Sequence, residues 1–321
     1  MTRRMPLAVI VLLAGVPGLS ASNLDLRFES GGQSTVKVGP GAAVPYAVVG
    51  ELSDNLNQGL AMFSFDLAFG GGPLSPAFEP STSPMVNFDR PAGLTNPAGF
   101  GGTQAGPLLR QVGGAQNTIN NSFAPYPSGP VVTDVAQNGG AEVLVNGSLT
   151  TPYLVGTFAL APSDIVANVI RLNETGTPFW RVDPAGVGLV TPLMVTVEAL
   201  TPAAPTVPVG QTVALLLDAG PANAGRQFRV LGCVTPGPPN RRLIVPLRND
   251  WYYQFTLANP NSAILQNSLG ILDAQGKATA LFTPDAQFAG LTAFHAFYVP
   301  GTTIFVSNVA SVLVTSPLVR K

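Results

Sequence analysis

Between Ala61 and Phe69 the chain alternates without a break. Ala61, Phe63, Phe65, Leu67 and Phe69 share one parity, and Met62, Ser64, Asp66 and Ala68 the other. A strand turns successive side chains to opposite faces, so period two with aromatics on one side describes a half-buried β-strand. Gly70-Gly-Gly-Pro73 ends it. The same pattern predicts strands at Val44–Val49, Glu142–Leu149, Tyr153–Leu160, Met194–Leu200, Val213–Leu217, Phe228–Val234, Leu243–Leu247, Leu291–Val299 and Ile304–Val314. It also predicts one at Trp251–Leu257, with Trp251, Tyr253, Phe255 and Leu257 on one face and Tyr252, Gln254 and Thr256 on the other. Leu272-Asp-Ala-Gln-Gly-Lys277 reads as a hairpin turn in which Gly276 supplies a positive φ. Residues 163–171 are ambiguous: Ser163 would cap a short helix, while the β-branched residues favour a strand.

Short strands between turn signals predict an all-β chain of sandwich or barrel type. Composition agrees. The 35 Gly and 31 Pro of 321 residues make the chain turn-rich, about a fifth of the total. That stays below the roughly 25–30% of a low-complexity sequence. An apolar content of 46% excludes disorder, and a charged content of 10% argues against long charged helices and coiled coils. One His and one Cys exclude Cys/His zinc sites and any disulfide framework within the chain.

Residues 1–22 read as an export signal. Arg3 and Arg4 are followed by an apolar run from Met5 to Val16, then by Pro17, Gly18 and the small residues Ser20, Ala21 and Ser22. This is the pattern of a cleavable signal peptide, with cleavage expected near Ser20–Asn23. The run is shorter than the roughly 20 residues that span a bilayer. The sole Cys lies too far downstream for lipidation. The expected location is secreted, periplasmic or at the cell surface, with no transmembrane segment after signal removal.

Charge divides the remainder. Residues 23–200 carry 6 basic and 13 acidic side chains, and residues 201–321 carry 8 and 4. The stretch Leu200-Thr-Pro-Ala-Ala-Pro-Thr206 has the composition of a short, semi-stiff linker. The two sides begin alike, with Thr35-Val-Lys-Val-Gly39 and Thr206-Val-Pro-Val-Gly210, each leading into an apolar strand. The expected organisation is a first domain over 23–198, a linker over 199–204 and a second domain over 205–317. Within the first domain, residues 70–135 are dense in Gly, Pro, Asn and Ser. Phe78, Phe88, Phe100, Leu108, Leu109 and Phe123 are spread along them, which predicts ordered long loops with short strands.

Chemistry-bearing residues are sparse. Glu51, Asp54, Asp66, Glu79 and Asp89 are unmarked by their surroundings, and no pair among them reads as a glycosidase pair. His295 shares parity with Ala293, Phe297 and Val299, which predicts a core histidine, and no G-x-S-x-G elbow exists for it to serve. Cys233 reads as an inert, partly buried thiol. Arg226, Arg229, Arg241, Arg242 and Arg248 follow one another with no acid between them. They read either as a patch for an anionic partner or as charges that deter strand-edge pairing. Trp180 and Tyr252 are the candidate exposed aromatics, so Trp180, Tyr252, Arg229 and Arg248 form the candidate ligand-contact set. Asp54-Asn-Leu-Asn57 offers a few oxygens for calcium, but no EF-hand loop or Asp-rich repeat occurs. No other metal or cofactor is expected. The net negative charge and scarce lysine argue against nucleic acid as a partner.

Val36-Lys-Val-Gly39, Val44–Val49 and Leu60-Ala-Met-Phe-Ser-Phe-Asp-Leu-Ala-Phe69 resemble the opening of cohesin-like modules. The resemblance covers about 35 residues and implies a jelly-roll-type sandwich related to carbohydrate-binding modules. Residues 70–135 are longer than a compact cohesin needs, and no dockerin-like calcium loop occurs. The second half is similar to a C-terminal module of uncharacterised exported proteins of planctomycete bacteria. The residues that carry this are Leu217–Gly225, Phe255–Asn261 and Leu269–Thr279. That resemblance implies a β-sandwich and an exported location, with no established activity. The expectation is two β-sandwich (jelly-roll/Ig-like) domains in tandem, forming a non-enzymatic structural or adhesive protein of a bacterial surface or matrix. Its partner would be a surface or matrix polysaccharide or another surface protein. The alternatives are a carbohydrate-binding protein and, third, a secreted hydrolase.

Overall fold

The computed structural model describes residues 22–53, 60–70, 100–106, 108–115, 141–172, 180–238 and 243–316. The N-terminal half contains Asn23–Glu29 (β1), Thr35–Val38 (β2), Ala43–Leu52 (β3), Leu60–Phe69 (β4), Phe100–Ala105 (β5), Leu108–Ala115 (β6), Glu142–Thr150 (β7), Gly156–Leu172 (β8), Trp180–Thr191 (β9) and Leu193–Val197 (β10). The C-terminal half contains Leu200–Pro202 (β11), Thr206–Pro208 (β12), Val213–Asp218 (β13), Gln227–Cys233 (β14), the helix Trp251–Ala258 (α1), Leu265–Gln266 (β15), Leu269–Ile271 (β16), Lys277–Phe282 (β17), Thr292–Val299 (β18), Phe305–Val306 (β19) and Ala310–Thr315 (β20). The fold is all-β, with two β-sandwiches.

In the first sandwich, the 17-residue strand β8 links two layers. One edge pairs with β4 from Leu160 to Val169. The other edge pairs with β10 at Gly156–Leu160 and with β9 at Ala167–Leu172. One layer therefore runs β5-β6-β4-β8-β10-β2, and the other continues from the far end of β8 through β9, β1 and β3 to β7. The parity of β4 places Phe63, Phe65, Leu67 and Phe69 inside, each at 1% exposure or less. Across the gap β1 contributes Leu24, Leu26 and Phe28, also buried. Phe28 meets Phe65 edge-on at 6.0 Å between ring centroids, a favoured aromatic geometry. The hairpin β5–β6 extends this sandwich from within residues 70–135, supplying Leu109 and Val112 to the core.

The second sandwich stacks β11-β13-β17-β15 on β12-β20-β18-β14-β16, with β19 against β18. Leu215 and Phe282 from one sheet meet Val230, Phe297 and Val312 from the other. Two strand pairs have a polarity that matters below. β1 runs parallel to β9, and β12 runs parallel to β20. The apolar core passes from one sandwich to the other between Val197 and Ala199. There the Asn308 side chain accepts from the backbone N–H groups of Ala199 and Leu200 at 2.7 and 2.9 Å and donates to Leu200 O at 2.8 Å. Residues Leu200–Pro202 are sheet rather than free chain, paired with Leu217–Leu215 of β13.

Three local expectations are corrected. Trp251–Leu257 is helix, not strand: Asp250 caps it, accepting from Tyr253 N–H at 2.9 Å. An Asx N-cap satisfies one of the orphan donors of a helix start, and it outweighs the strand preference of the aromatics. Leu243–Leu247 forms bends instead of a strand, although Val245 and Leu247 are buried. The 272–277 turn is tight, with Gly276 at φ 75°. It joins β16 to β17, which lie in different sheets, so it is a crossing between layers and not a hairpin. A side chain at position 276 would also strike Gly220 O. Residues 163–171 resolve as part of β8.

Candidate ligand-contact site

The four residues singled out from the sequence separate in the structure. Trp180 opens β9, with its backbone paired to Leu172; its ring lies outside the described residues. So do Arg241 and Arg242, the acids Asp54, Glu79 and Asp89, Asn57, and the export signal up to Ala21. Asp66 is not free, since it accepts from Gln111 N–H at 2.9 Å.

Tyr252, expected on an exposed strand face, is fully buried. The cause is the helix: α1 packs on β14, and its buried side is formed by Tyr252, Tyr253 and Thr256. The ring lies over Gly232, where any Cβ would come within 2.3 Å of it. Burial pushes the Tyr252 hydroxyl well above the ordinary phenol range. Its hydroxyl lies 3.1 Å from His295 Nε2. His295 is itself fully buried, and desolvation lowers its pKa to about 3. The imidazole is thus neutral, enclosed by Phe282 and Tyr252, and out of reach of any substrate. A ring with no free face offers nothing to a sugar.

The arginines of the cluster have different fates. Arg226 donates to Asn223 Oδ1 at 2.6 Å and to Pro300 O. Arg229 donates from Nη2 to Leu257 O and, at 3.5 Å, to Thr256 O, so it caps the C-terminus of α1. A cation there satisfies orphan carbonyls and matches the helix dipole. Arg248 has neither role. Its Nε is buried without a hydrogen-bond partner, and no acceptor in the described structure takes its guanidinium.

Arg248 lines a cavity of about 350 Å³ on the outer side of β14 and β18, with Cys233, Thr235, Pro236, Leu247 and Phe294 among its walls. Gly237 makes room for the guanidinium: a Cβ would stand 3.1 Å from Arg248 Nη2. Asp250 holds the rim, its Oδ2 accepting from Val234 and Thr235 N–H at 2.7 and 2.8 Å. That carboxylate is therefore spent on backbone. Burial pushes the Cys233 thiol up, partly offset by a hydrogen bond from the Arg248 backbone, so the sulfur is a poor nucleophile. Nothing in the sequence joined these residues, because Cys233, Arg248 and Phe294 come from three separate segments.

A second concavity, of about 540 Å³, lies where the two halves meet and is lined by Lys37, Glu198, Asp218 and Lys277. Its charges are paired, Lys37 with Glu198 at 2.8 Å and Lys277 with Asp218 at 3.1 Å. Among the described residues no group of three or more His, Cys, Asp or Glu could hold a metal ion, and no helix is long and apolar enough to cross a membrane.

No family model and no curated protein matches the chain. Solved structures do align. A type I cohesin, the seventh of ScaB from Pseudobacteroides cellulosolvens, is 10% identical, with TM-score 0.34, over 57% of this chain and 96% of its own. The type II cohesin dyad of the ScaA scaffoldin of Acetivibrio cellulolyticus is 10% identical, with TM-score 0.29, over 92% of this chain and 98% of its own. A 35 kDa C-terminal fragment of the major pilin GBS80 of Streptococcus agalactiae is 10% identical, with TM-score 0.32, over 90% and 91%. Superpositions this loose bring no ligand, partner or activity to this chain.

Proposed function

We propose that the protein is an exported, non-enzymatic structural or adhesive component of a bacterial surface or its matrix, built to carry load along its chain. The observation behind this reading is a parallel strand pair close to the ends of each sandwich. In the first sandwich the leading strand β1 lies parallel to β9, Asn23 opposite Gly186 and Arg27 opposite Thr191. In the second, β12 lies parallel to the last strand β20, Thr206 opposite Leu313 and Pro208 opposite Thr315. Pulling the two ends of such a domain apart slides parallel strands lengthwise. The bonds of the ladder then share the load, whereas an antiparallel hairpin pulled from its open end loses them one at a time. The tied junction at Asn308 passes force between the sandwiches without a slack linker.

The fate of the reactive side chains supports the non-enzymatic part. The one histidine is sealed in a core, and the Cys233 thiol is held up by burial. Export rests on the Arg3–Ser22 pattern. Single-molecule pulling from the two ends tests the mechanical claim. Each sandwich is expected to yield at a high force set by shear; yielding at the low force typical of unzipped hairpins overturns it. Fractionation tests the rest: the protein belongs with the cell surface or matrix, and a cytoplasmic location refutes the assignment.

A further inference from the structure

We propose that the Arg248 cavity binds a small organic carboxylate with a compact apolar body. The inference stands apart from the mechanical reading and fails or survives independently of it.

Three observations lead there. The first is a cation without a counter-charge. Arg226 and Arg229 donate from their terminal nitrogens to protein oxygens, and no described acceptor takes Arg248 at all; Nε is buried and unpaired in Arg229 as well as in Arg248. A buried donor without a partner is unfavourable and rare in native proteins. Asp250, two residues along the chain, already takes three backbone N–H groups. The second is the room beside the cation. The cavity is about 350 Å³, inside the range of small-molecule sites. Gly237, at φ 125°, keeps the Nη2 side of the guanidinium clear.

The third is the wall chemistry. Pro236, Pro246, Leu247, Phe294 and Val309 offer hydrocarbon, and Thr235 and Arg248 supply the polar side chains. One fixed cation over an apolar chamber suits one anionic head on an apolar body. Nε and Nη2, on the edge that Gly237 leaves open, present two parallel N–H donors, the fork that a carboxylate accepts in bidentate fashion. An acidic sugar has the head but a body ringed with hydroxyls, which these walls would strip of water without replacement bonds. The same head and body occur in free aryl or short-chain acids and at a peptide C-terminus ending in an apolar residue.

Calorimetric titration of the purified protein tests this with four probes: phenylacetate, N-acetylphenylalanine, galacturonate and neutral 2-phenylethanol. Phenylacetate or N-acetylphenylalanine is expected to bind, and the tighter of the two identifies the source as free acid or chain end. Arg248→Gln should weaken binding about tenfold or more, the factor for losing a charge-assisted hydrogen bond. Val309→Trp, at the exposed rim, should block the chamber while the protein stays folded; it keeps the test sharp if Arg248→Gln unfolds. Bound phenylacetate should also slow alkylation of Cys233, which shares the wall. Galacturonate or 2-phenylethanol binding as well as phenylacetate overturns the proposal, as does unchanged affinity in both variants. Absence of binding by both apolar acids overturns it outright.

Discussion

The hydroxyl of Tyr252 sits 3.1 Å from Nε2 of His295, with the two rings perpendicular at 89°. The helix and the sheet of the second sandwich are joined through this contact, inside a core that includes Phe282 and Phe288. His295 Nδ1 is buried with no partner. The neutral imidazole already leaves one nitrogen unsatisfied, and a second proton would add a charge that nothing balances.

A pH dependence follows, and its sign is fixed. Folding lowers the His295 pKa from 6.5 to about 3, so below pH 6.5 the unfolded chain binds the extra proton. The stability is fully present above about pH 6.5 and is lost as pH falls toward 3, at up to about 1.4 kcal/mol per pH unit. Urea midpoints measured between pH 7.5 and 4.5 should drop for the wild type. His295→Leu should flatten this component. An equal slope in the variant would assign the effect to other groups.

Phe65 and Ser64 are neighbours with opposite surroundings. Phe65 is 1% exposed, stacked 6.0 Å from Phe63 and edge-on to Phe28. Phe65→Ala should cost about 3–5 kcal/mol through lost transfer energy and a cavity. Ser64 faces outward and is half-buried; Ser64→Ala should cost under about 0.5 kcal/mol. Chemical denaturation of both variants checks the contrast, and similar losses would refute the half-buried strand.

Asp250 serves two segments at once. It caps α1 through Tyr253 N–H and ties down Val234 and Thr235. Asp250→Ala should cost about 2–3 kcal/mol, the helix cap plus backbone donors left unpaired. Asp250→Asn, which keeps an acceptor oxygen, should recover part of that. Thermal melts of the two variants measure it.

The domain boundary can be tested at the level of single residues. Ala199 and Leu200 belong to the second core, and β11 pairs with β13. A fragment starting at Ala199 should unfold cooperatively and melt higher than one starting at Pro205, which lacks β11 and leaves the Asn308 amide without its partners. Asn308→Ala in the full chain should lower stability by about 1–3 kcal/mol. Equal melting of the two fragments would place the boundary further along the chain.

The strands were legible where one face is buried and the other wet, because period two then appears directly in the sequence. β4 and β13 are examples: Phe63, Phe65 and Leu67, like Val213, Leu215 and Leu217, are inward as parity requires. The helix was misread because Trp251–Leu257 alternates ring and polar residues through most of its length. The informative signal was Asn249-Asp250 just before it, an N-cap candidate. Pairing between distant strands, such as β16 with β14 instead of β17, leaves no local mark. The Arg248 cavity was invisible for the same reason. Arg248 stood out as a charge, but its difference from Arg229 depends on which carbonyl oxygens the fold brings near, and that is a property of three dimensions.

β8 belongs to both layers of the first sandwich, bonded to β4 along one edge and to β10 and β9 along the other. Neither layer can therefore open while the other stays closed. Amide protons in β1 and in β4, on opposite sides of the core, should exchange with solvent at one common rate-limiting free energy, that of the whole sandwich. The clock for every slow amide in those strands is then a single event, the release of one seventeen-residue segment.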